Sequence, residues 1–343
     1  MSAMYQDHRP PTLSTNEDRI QSTLNFILGG ARVVQVASGV GMFETDVRFE
    51  LKTEIWTTAA PFTVISARYK KRALGAVIFI ISQLFGGGDG VPSGSPPVVI
   101  VTVFDPEHYN KEYISNIKEN RLEYARKHGY ATFFPNAKDY ELDGAPDTWA
   151  KVPAIRHALT KFPYSTYVWY LDQDSLIMNP EITIETDIMN PKKLESLMIR
   201  DQPVVPPDSV IKTFPHLKGA NIDFALTQDK EGLAQGSFIV RKGDWSKFFL
   251  DTWFDPLYRS YNFQKADTHA LEHIVQWHPT ILSKLALVPQ RTMNSYNKGD
   301  TETGAYKDGD FVIRFPGCDQ AGRSCEGEAE PFSKQWRTAF RER

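Results

Sequence analysis

The hydrophobic pattern changes character twice along this chain. Residues 1 to 67 show no sustained period, with scattered turn formers and one mildly apolar patch from Leu24 to Val40, so no element is predicted there. A basic cluster, Arg68-Tyr-Lys-Lys-Arg72, then meets the uncharged run Ala73 to Phe85 and a Gly-rich spacer reaching Gly94. That run is short against the ~20 residues a spanning helix needs, and a buried core helix or a signal-peptide hydrophobic region is the alternative. The distance from the N-terminus disfavours the signal peptide, and the basic and Gly/Ser/Pro flanks disfavour the core helix. The pattern therefore predicts a membrane anchor over 73–88, a cytosolic tail over 1–72 and a stem linker over 89–96. Bases precede the run and none follows until Lys111, which orients the bulk of the chain toward a lumen, a single-pass type II topology.

A folded domain is predicted over 97–325, followed by a C-terminal tail over 326–343. Val98-Val-Ile-Val-Thr-Val-Phe104 is the continuous β-branched run of a strand buried on both faces. Tyr113, Ile117, Leu122 and Ala125 recur at helical spacing between Tyr109 and His128, and Gly129 supplies a helix stop. Tyr130 to Phe134 reads as a second strand, Trp149 to Leu159 as a second helix and Tyr167 to Leu171 as a third strand. This alternation predicts an α/β fold with right-handed crossovers and a parallel sheet covered by helices. Ligands of such sheets bind beyond the carboxyl ends of the strands, where Asp105, Asp172 and Asp174 fall.

Composition narrows the chemistry. Asp and Glu number 42 against 39 Lys and Arg, so no overall basic field draws the chain onto nucleic acid. Cys318 and Cys325 are its two cysteines, which excludes a disulfide-dense scaffold and a zinc site of several thiolates. In a lumen they would close a small disulfide loop, and in a cytosol they would stay free thiols. His269 and His273 lie four apart with no third ligand evident, which favours a structural role.

Asp172 and Asp174 carry the strongest chemical signal. In an extended segment, side chains two residues apart point to one side, so an Asp-x-Asp after an apolar strand presents paired carboxylates to a hard cation such as Mn²⁺ or Mg²⁺. A strand running into a solvated turn is the plainer reading of the same residues. The cation would serve a diphosphate leaving group, whose developing negative charge also calls for cationic side chains. Lys151, at the start of its helix, is a candidate for donor phosphate, with Arg156 five residues on and Arg121 on the preceding helix. A solvated helix face is the usual place of such residues.

Five segments in order, Asn120 to Tyr130, Trp149 to Arg156, Val168 to Asn179, Gln235 to Arg241 and Phe315 to Cys318, resemble glycosyltransferase family 34. This is the galactosyl and mannosyltransferase family that includes fungal Golgi α-1,2-galactosyltransferases, plant xyloglucan xylosyltransferases and the α-1,6-mannosyltransferase subunits of mannan polymerase. The resemblance covers about residues 96 to 320 and runs closest to the mannan polymerase subunits. It implies a GT-A, Rossmann-like fold, a nucleotide-sugar donor and retention of anomeric configuration. It assigns Asp172 to the ribose and metal side and Asp174 to the metal, and places a sugar-contacting loop around Asn221 to Phe238, where Gln228 and Asp229 become catalytic candidates. Independently of the resemblance, Asp105, Arg121, Lys151, Arg156 and Arg314 are the expected donor-binding set. The implied protein is a Golgi enzyme moving mannose from GDP-mannose to a mannan or N-glycan acceptor, beside other mannosyltransferase subunits in a hetero-complex. The alternatives are an α-1,2-galactosyltransferase using UDP-galactose and a catalytically weak structural subunit.

One position departs from the pattern. Galactosyl and xylosyltransferase relatives carry a metal-binding histidine in a His-Phe-x-Gly-Cys context, whereas this chain reads Arg314-Phe-Pro-Gly-Cys318. A guanidinium has no lone pair to give a metal. Either Arg314 places a fixed charge on the diphosphate while water completes the metal shell, or the site binds metal poorly and the chain supports a catalytic partner.

Overall fold

The computed structural model describes residues 92–205, 209–261, 263–298 and 304–341. The expected cytosolic tail and membrane anchor lie outside the described residues, among which no helix is long and apolar enough to cross a membrane. In chain order the first elements are β1 (Val98–Val101), α1 (Lys111–His128), β2 (Ala131–Phe133), α2 (Lys151–Lys161), β3 (Tyr167–Leu171) and β4 (Ser175–Ile177). They are followed by α3 (Pro191–Leu197), β5 (Phe224–Asp229), β6 (Gly232–Arg241), α4 (Asp244–Trp253), α5 (Pro256–Ser260) and α6 (Ala266–Trp277). The chain closes with α7 (Pro279–Leu282), β7 (Leu285–Val288), β8 (Ser295–Tyr296), β9 (Val312–Arg314) and α8 (Cys325–Arg341).

Local chemistry explains the first helix. The Asn110 side chain accepts from Tyr113 N at its start, and Gly129, in the left-handed region at φ 67°, ends it. Its buried face runs through Tyr113, Ile117, Asn120, Arg121 and Tyr124, while Leu122, expected on that face, is 44% exposed. The helical turn that buries Asn120 and Arg121 with Tyr113, Ile117 and Tyr124 carries Leu122 toward solvent.

Six strands form one mixed sheet in the order β2-β1-β3-β6-β5-β7. Strands β2, β1 and β3 are parallel, as the alternation predicts. Beyond β3 the all-parallel expectation fails, because β5 and β6 are joined by a short hairpin and must run antiparallel, and β6 docks antiparallel on β3. Alternate residues of the buried strands serve opposite layers. Val99, Val101 and Val168 pack with Trp149, Phe249 and Trp253, whereas Val98, Ile100 and Trp169 pack with Tyr124 and Phe311. A second sheet, β4-β9-β8, stands at the carboxyl end of β3.

The expected C-terminal tail is instead α8. Its Trp336 is 1% exposed in a third cluster with Tyr113, Ile117 and Phe315. The amphipathic face of this helix finds its apolar partners only in the folded chain, which a boundary drawn along the sequence does not reveal. Cys318 and Cys325 form the disulfide that links the loop after β9 to the first residue of α8.

Candidate active site

Strand β3 ends with all five residues buried, and its next backbone N–H, that of Asp172, donates to Gly236 O on β6 at 2.8 Å. The chain then turns through Gln173 and Asp174 into β4, where an extended Asp-x-Asp was expected. Helix α1 holds this turn. Asn120 accepts from Ile177 N and donates to Ile177 O, at 2.8 and 2.9 Å. Arg121 donates to Ser175 O, Asp172 O and Ser175 Oγ within 2.8–2.9 Å. Burial pushes the Arg121 pKa down to about 10, and its bonds face the turn rather than a cleft. Arg121 therefore holds the aspartate turn and borders neither cleft described below. Tyr113 completes the clamp by donating from its hydroxyl to Gln173 O at 2.9 Å.

Pairing between β4 and β9 decides what the aspartates meet. Ser175 lies opposite Arg314, and Phe315 N donates to Asp174 O, which sets the Arg314 side chain beside both carboxylates. Its Nη2 donates to both Asp174 oxygens at 2.7 Å, and its Nε reaches Asp174 Oδ1 at 3.1 Å. Asp172 Oδ2 stands 3.4 Å from the same Nη2. Asp174 and Arg314 are 9% and 8% exposed, so this is a buried pair, while the Asp172 side chain keeps 28% of its surface. Burial disfavours the guanidinium charge, but the Asp174 and Asp172 carboxylates outweigh it and push the Arg314 pKa up. Gly236 makes room for the pair: a Cβ there would fall 1.8 Å from Arg314 Cζ. A glycine inside a strand signals such close approach, a signal that Gln235-Gly-Ser carries and that the expected site set leaves out.

Two clefts meet at these residues. The larger, about 550 Å³, is bordered by Asp105, Tyr109, Lys151, Asp172, Asp174 and Arg323, and its volume lies in the range of small-molecule sites. The smaller, about 230 Å³, is bordered by Asp229, Gln235, Tyr296 and Arg314. Lys151 and Asp172 line both. Lys151 is buried and pairs with Asp267 at 2.8 Å, a partner from α6 that sequence spacing does not reveal. A 3-10 turn over Asp147–Ala150 precedes α2, so the free helical N–H groups belong to that turn and not to Lys151. Asp229 accepts from Tyr296 OH at 2.6 Å and from Glu231 N and Gly232 N, which leaves it well partnered at the hairpin.

Two expected site residues stand apart. Arg156 is on the outer side of α2, ion-paired with Asp251 at 3.0 Å. Gln228 accepts from Val205 N and donates to Pro203 O, so it holds a loop rather than lining either cleft. Of the expected set, Asp105, Lys151, Asp172, Asp174, Asp229 and Arg314 do border the clefts.

A divalent metal was expected on Asp172 and Asp174, and the donor set does not fit one. Both Asp174 oxygens already accept from a fixed cation, and no cluster of three or more His, Cys, Asp or Glu side chains suited to a metal occurs among the described residues.

Residues 94–326 match the sequence profile of the galactosyl transferase GMA12/MNN10 family. An uncharacterized alpha-1,2-galactosyltransferase of Schizosaccharomyces pombe is 29% identical over 252 residues, 71% of this chain and 76% of that protein. A probable alpha-1,6-mannosyltransferase of Saccharomyces cerevisiae, MNN11, is 31% identical over 286 residues, 76% of this chain and 67% of its own. A second S. pombe alpha-1,2-galactosyltransferase, also uncharacterized, is 33% identical over 236 residues, and the match spans 67% of this chain and 62% of that protein.

Proposed function

This chain belongs to the galactosyl transferase GMA12/MNN10 family of glycosyltransferases, and from that premise we propose that it is a retaining hexosyltransferase of GT-A type using a nucleotide-sugar donor. The observation that carries the proposal is the junction of the two clefts, where Lys151 and Asp172 border both and Arg314 lies between the carboxylates. The larger cleft takes the nucleoside, the junction takes its diphosphate within reach of Lys151 and Arg314, and the smaller cleft takes the sugar and acceptor.

The reaction asks little covalent chemistry of the protein. The bond between sugar C1 and the phosphate oxygen breaks with its electron pair staying on that oxygen. The acceptor hydroxyl oxygen bonds C1, and its proton leaves with the released diphosphate. What the chain must supply is orientation and positive charge where the leaving group gains negative charge. Lys151 and Arg314 are the cations at that junction, and Asn120, Arg121 and Tyr113 hold the aspartate turn in place. Asp105 borders the nucleotide side, where its backbone N–H donates to Gln173 Oε1 at 3.1 Å.

Mannose from GDP-mannose, passed to a mannan or N-glycan acceptor, is the donor and acceptor we favour, supported by the similarity to relatives named as probable alpha-1,6-mannosyltransferases. Galactose from UDP-galactose is the second reading, supported by relatives named as alpha-1,2-galactosyltransferases at 29–33% identity. A Golgi membrane, a luminal catalytic domain and companion mannosyltransferase subunits belong to the same proposal. The Cys318–Cys325 disulfide supports an oxidising compartment. The test offers both sugar nucleotides to the full-length protein with mannan oligosaccharides and reads the product linkage by NMR. Mannose transfer supports the first reading and galactose transfer the second. A folded protein that transfers neither, alone or with its companion subunits, removes the hexosyltransferase assignment.

A further inference from the structure

We propose that Arg314 is the resident cation of this site and that it receives the charge of the leaving diphosphate without a divalent metal. The inference rests on the nucleotide-sugar reading above and adds to it the identity of the cation that stabilises the leaving group.

Four features of the described residues converge on it. Asp174, the carboxylate expected to ligate a metal, is 9% exposed and spends both oxygens on the guanidinium. Asp172 shares the same Nη2 at 3.4 Å, so a metal bridging the two carboxylates would have to lie against a permanent positive charge. The guanidinium has a prepared bed, because Gly236 leaves open the space in which a Cβ would lie 1.8 Å from Cζ and 1.9 Å from Nη1. Finally, Nε and Nη2 carry the carboxylate bonds, whereas Nη1 donates to no group among the described residues, and Arg314 borders the smaller cleft. Its two N–H groups remain for an anionic ligand.

This division of the fork suits charge transfer to a leaving group. One edge of the planar guanidinium is fixed by aspartates, which orients the other edge without reorganisation at the moment of reaction. As the C1–O bond breaks and its electron pair moves to the phosphate oxygen, Nη1 can donate to the phosphate, with Lys151 as a second cation at the junction. The aspartates then act as positioning residues for Arg314 and not as metal ligands. Asp105, which also borders the larger cleft, stands outside this arrangement: it accepts from His108 Nδ1 at 2.5 Å and from Glu107 N.

The test is calorimetric binding of GDP and of UDP to the full-length chain, in EDTA and in Mn²⁺, with Mn²⁺ also titrated alone. For the unmodified protein, the preferred nucleotide should bind with a Kd equal within about twofold in the two buffers, and Mn²⁺ alone should show no site. Arg314→His should lose about tenfold or more in EDTA and regain binding in Mn²⁺, since imidazole with two freed carboxylates can ligate the ion. Arg314→Lys keeps the charge and covers the case in which the histidine variant fails to fold; it should bind nucleotide weakly and without metal. Nucleotide binding by the unmodified protein that requires Mn²⁺ overturns the inference and leaves the nucleotide-sugar reading standing. Absence of GDP and UDP binding in both buffers overturns that reading, and the inference with it.

Discussion

Replacing Gly236 with alanine should break the Arg314–Asp174 pair without touching either residue. The added Cβ would fall 1.8 Å from Cζ, 1.9 Å from Nη1 and 2.2 Å from Nε of Arg314. Carbon atoms in contact sit about 3.5 Å apart, so the guanidinium must move by roughly 1.7 Å. The contacts to Asp174 are 2.7 Å long and cease to be hydrogen bonds near 3.5 Å, so they have less slack than the displacement requires. Overpacking costs about 1–3 kcal/mol and a broken buried ion pair about 3–5 kcal/mol. Removing a strand glycine returns about 0.5–1 kcal/mol, and partial accommodation of the side chain shares the remaining strain, so a net loss of about 3 kcal/mol is expected. Urea denaturation of the full-length protein measures it, and a double-mutant cycle isolates its cause. In an Arg314→Ala background the guanidinium is gone, and Gly236→Ala should then cost less than about 1 kcal/mol. Equal costs in the two backgrounds would refute the reasoning, because the strain would then lie in β6 itself.

The aspartate turn and the last helix give two further predictions. Asn120→Ala strands the buried N–H and C=O of Ile177 and should cost about 3 kcal/mol, lowering Tm by roughly 6–12 °C; a shift below about 2 °C would mean the turn does not depend on this clamp. Glu328 accepts from Arg323, Lys298 and Asn297, and these bonds, Arg323 first, hold its carboxyl down at about 2 against an ordinary 4.5. A carboxyl depressed by folding stabilises fully above its unfolded pKa and loses that contribution as pH falls toward the folded one, so α8 should loosen between pH 4.5 and about 2. Hydrogen exchange of α8 amides across that window checks it, and Glu328→Gln should already exchange faster at neutral pH. Protection that is independent of pH in both proteins would refute the anchoring role.

Much of the architecture near the site was legible in order along the chain. The uncharged Val98–Val101 run, the period of α1 with its Gly129 stop, and the apolar end of β3 are local features whose physical cause lies within a few residues of each other. They determined three parallel strands, two helices and the placement of Asp105 and the Asp172/Asp174 pair at strand ends, and the residue types alone identified Arg314 as unable to ligate a metal. Tertiary structure decided everything that depended on contacts between distant segments. Whether Arg121 faced a phosphate or the backbone of Asp172, whether Lys151 met Asp267, and whether residues 326–341 packed as a helix were set by partners 51, 116 or more than 200 positions away. The register of β4 against β9 brought Arg314 onto Asp174 across 140 residues, with Gly236 of a third strand beneath it. Periodicity reports which face of an element is buried, but the identity of the opposing group is a property of the assembled sheet, and it is that group that determines whether two carboxylates hold a metal ion or an arginine.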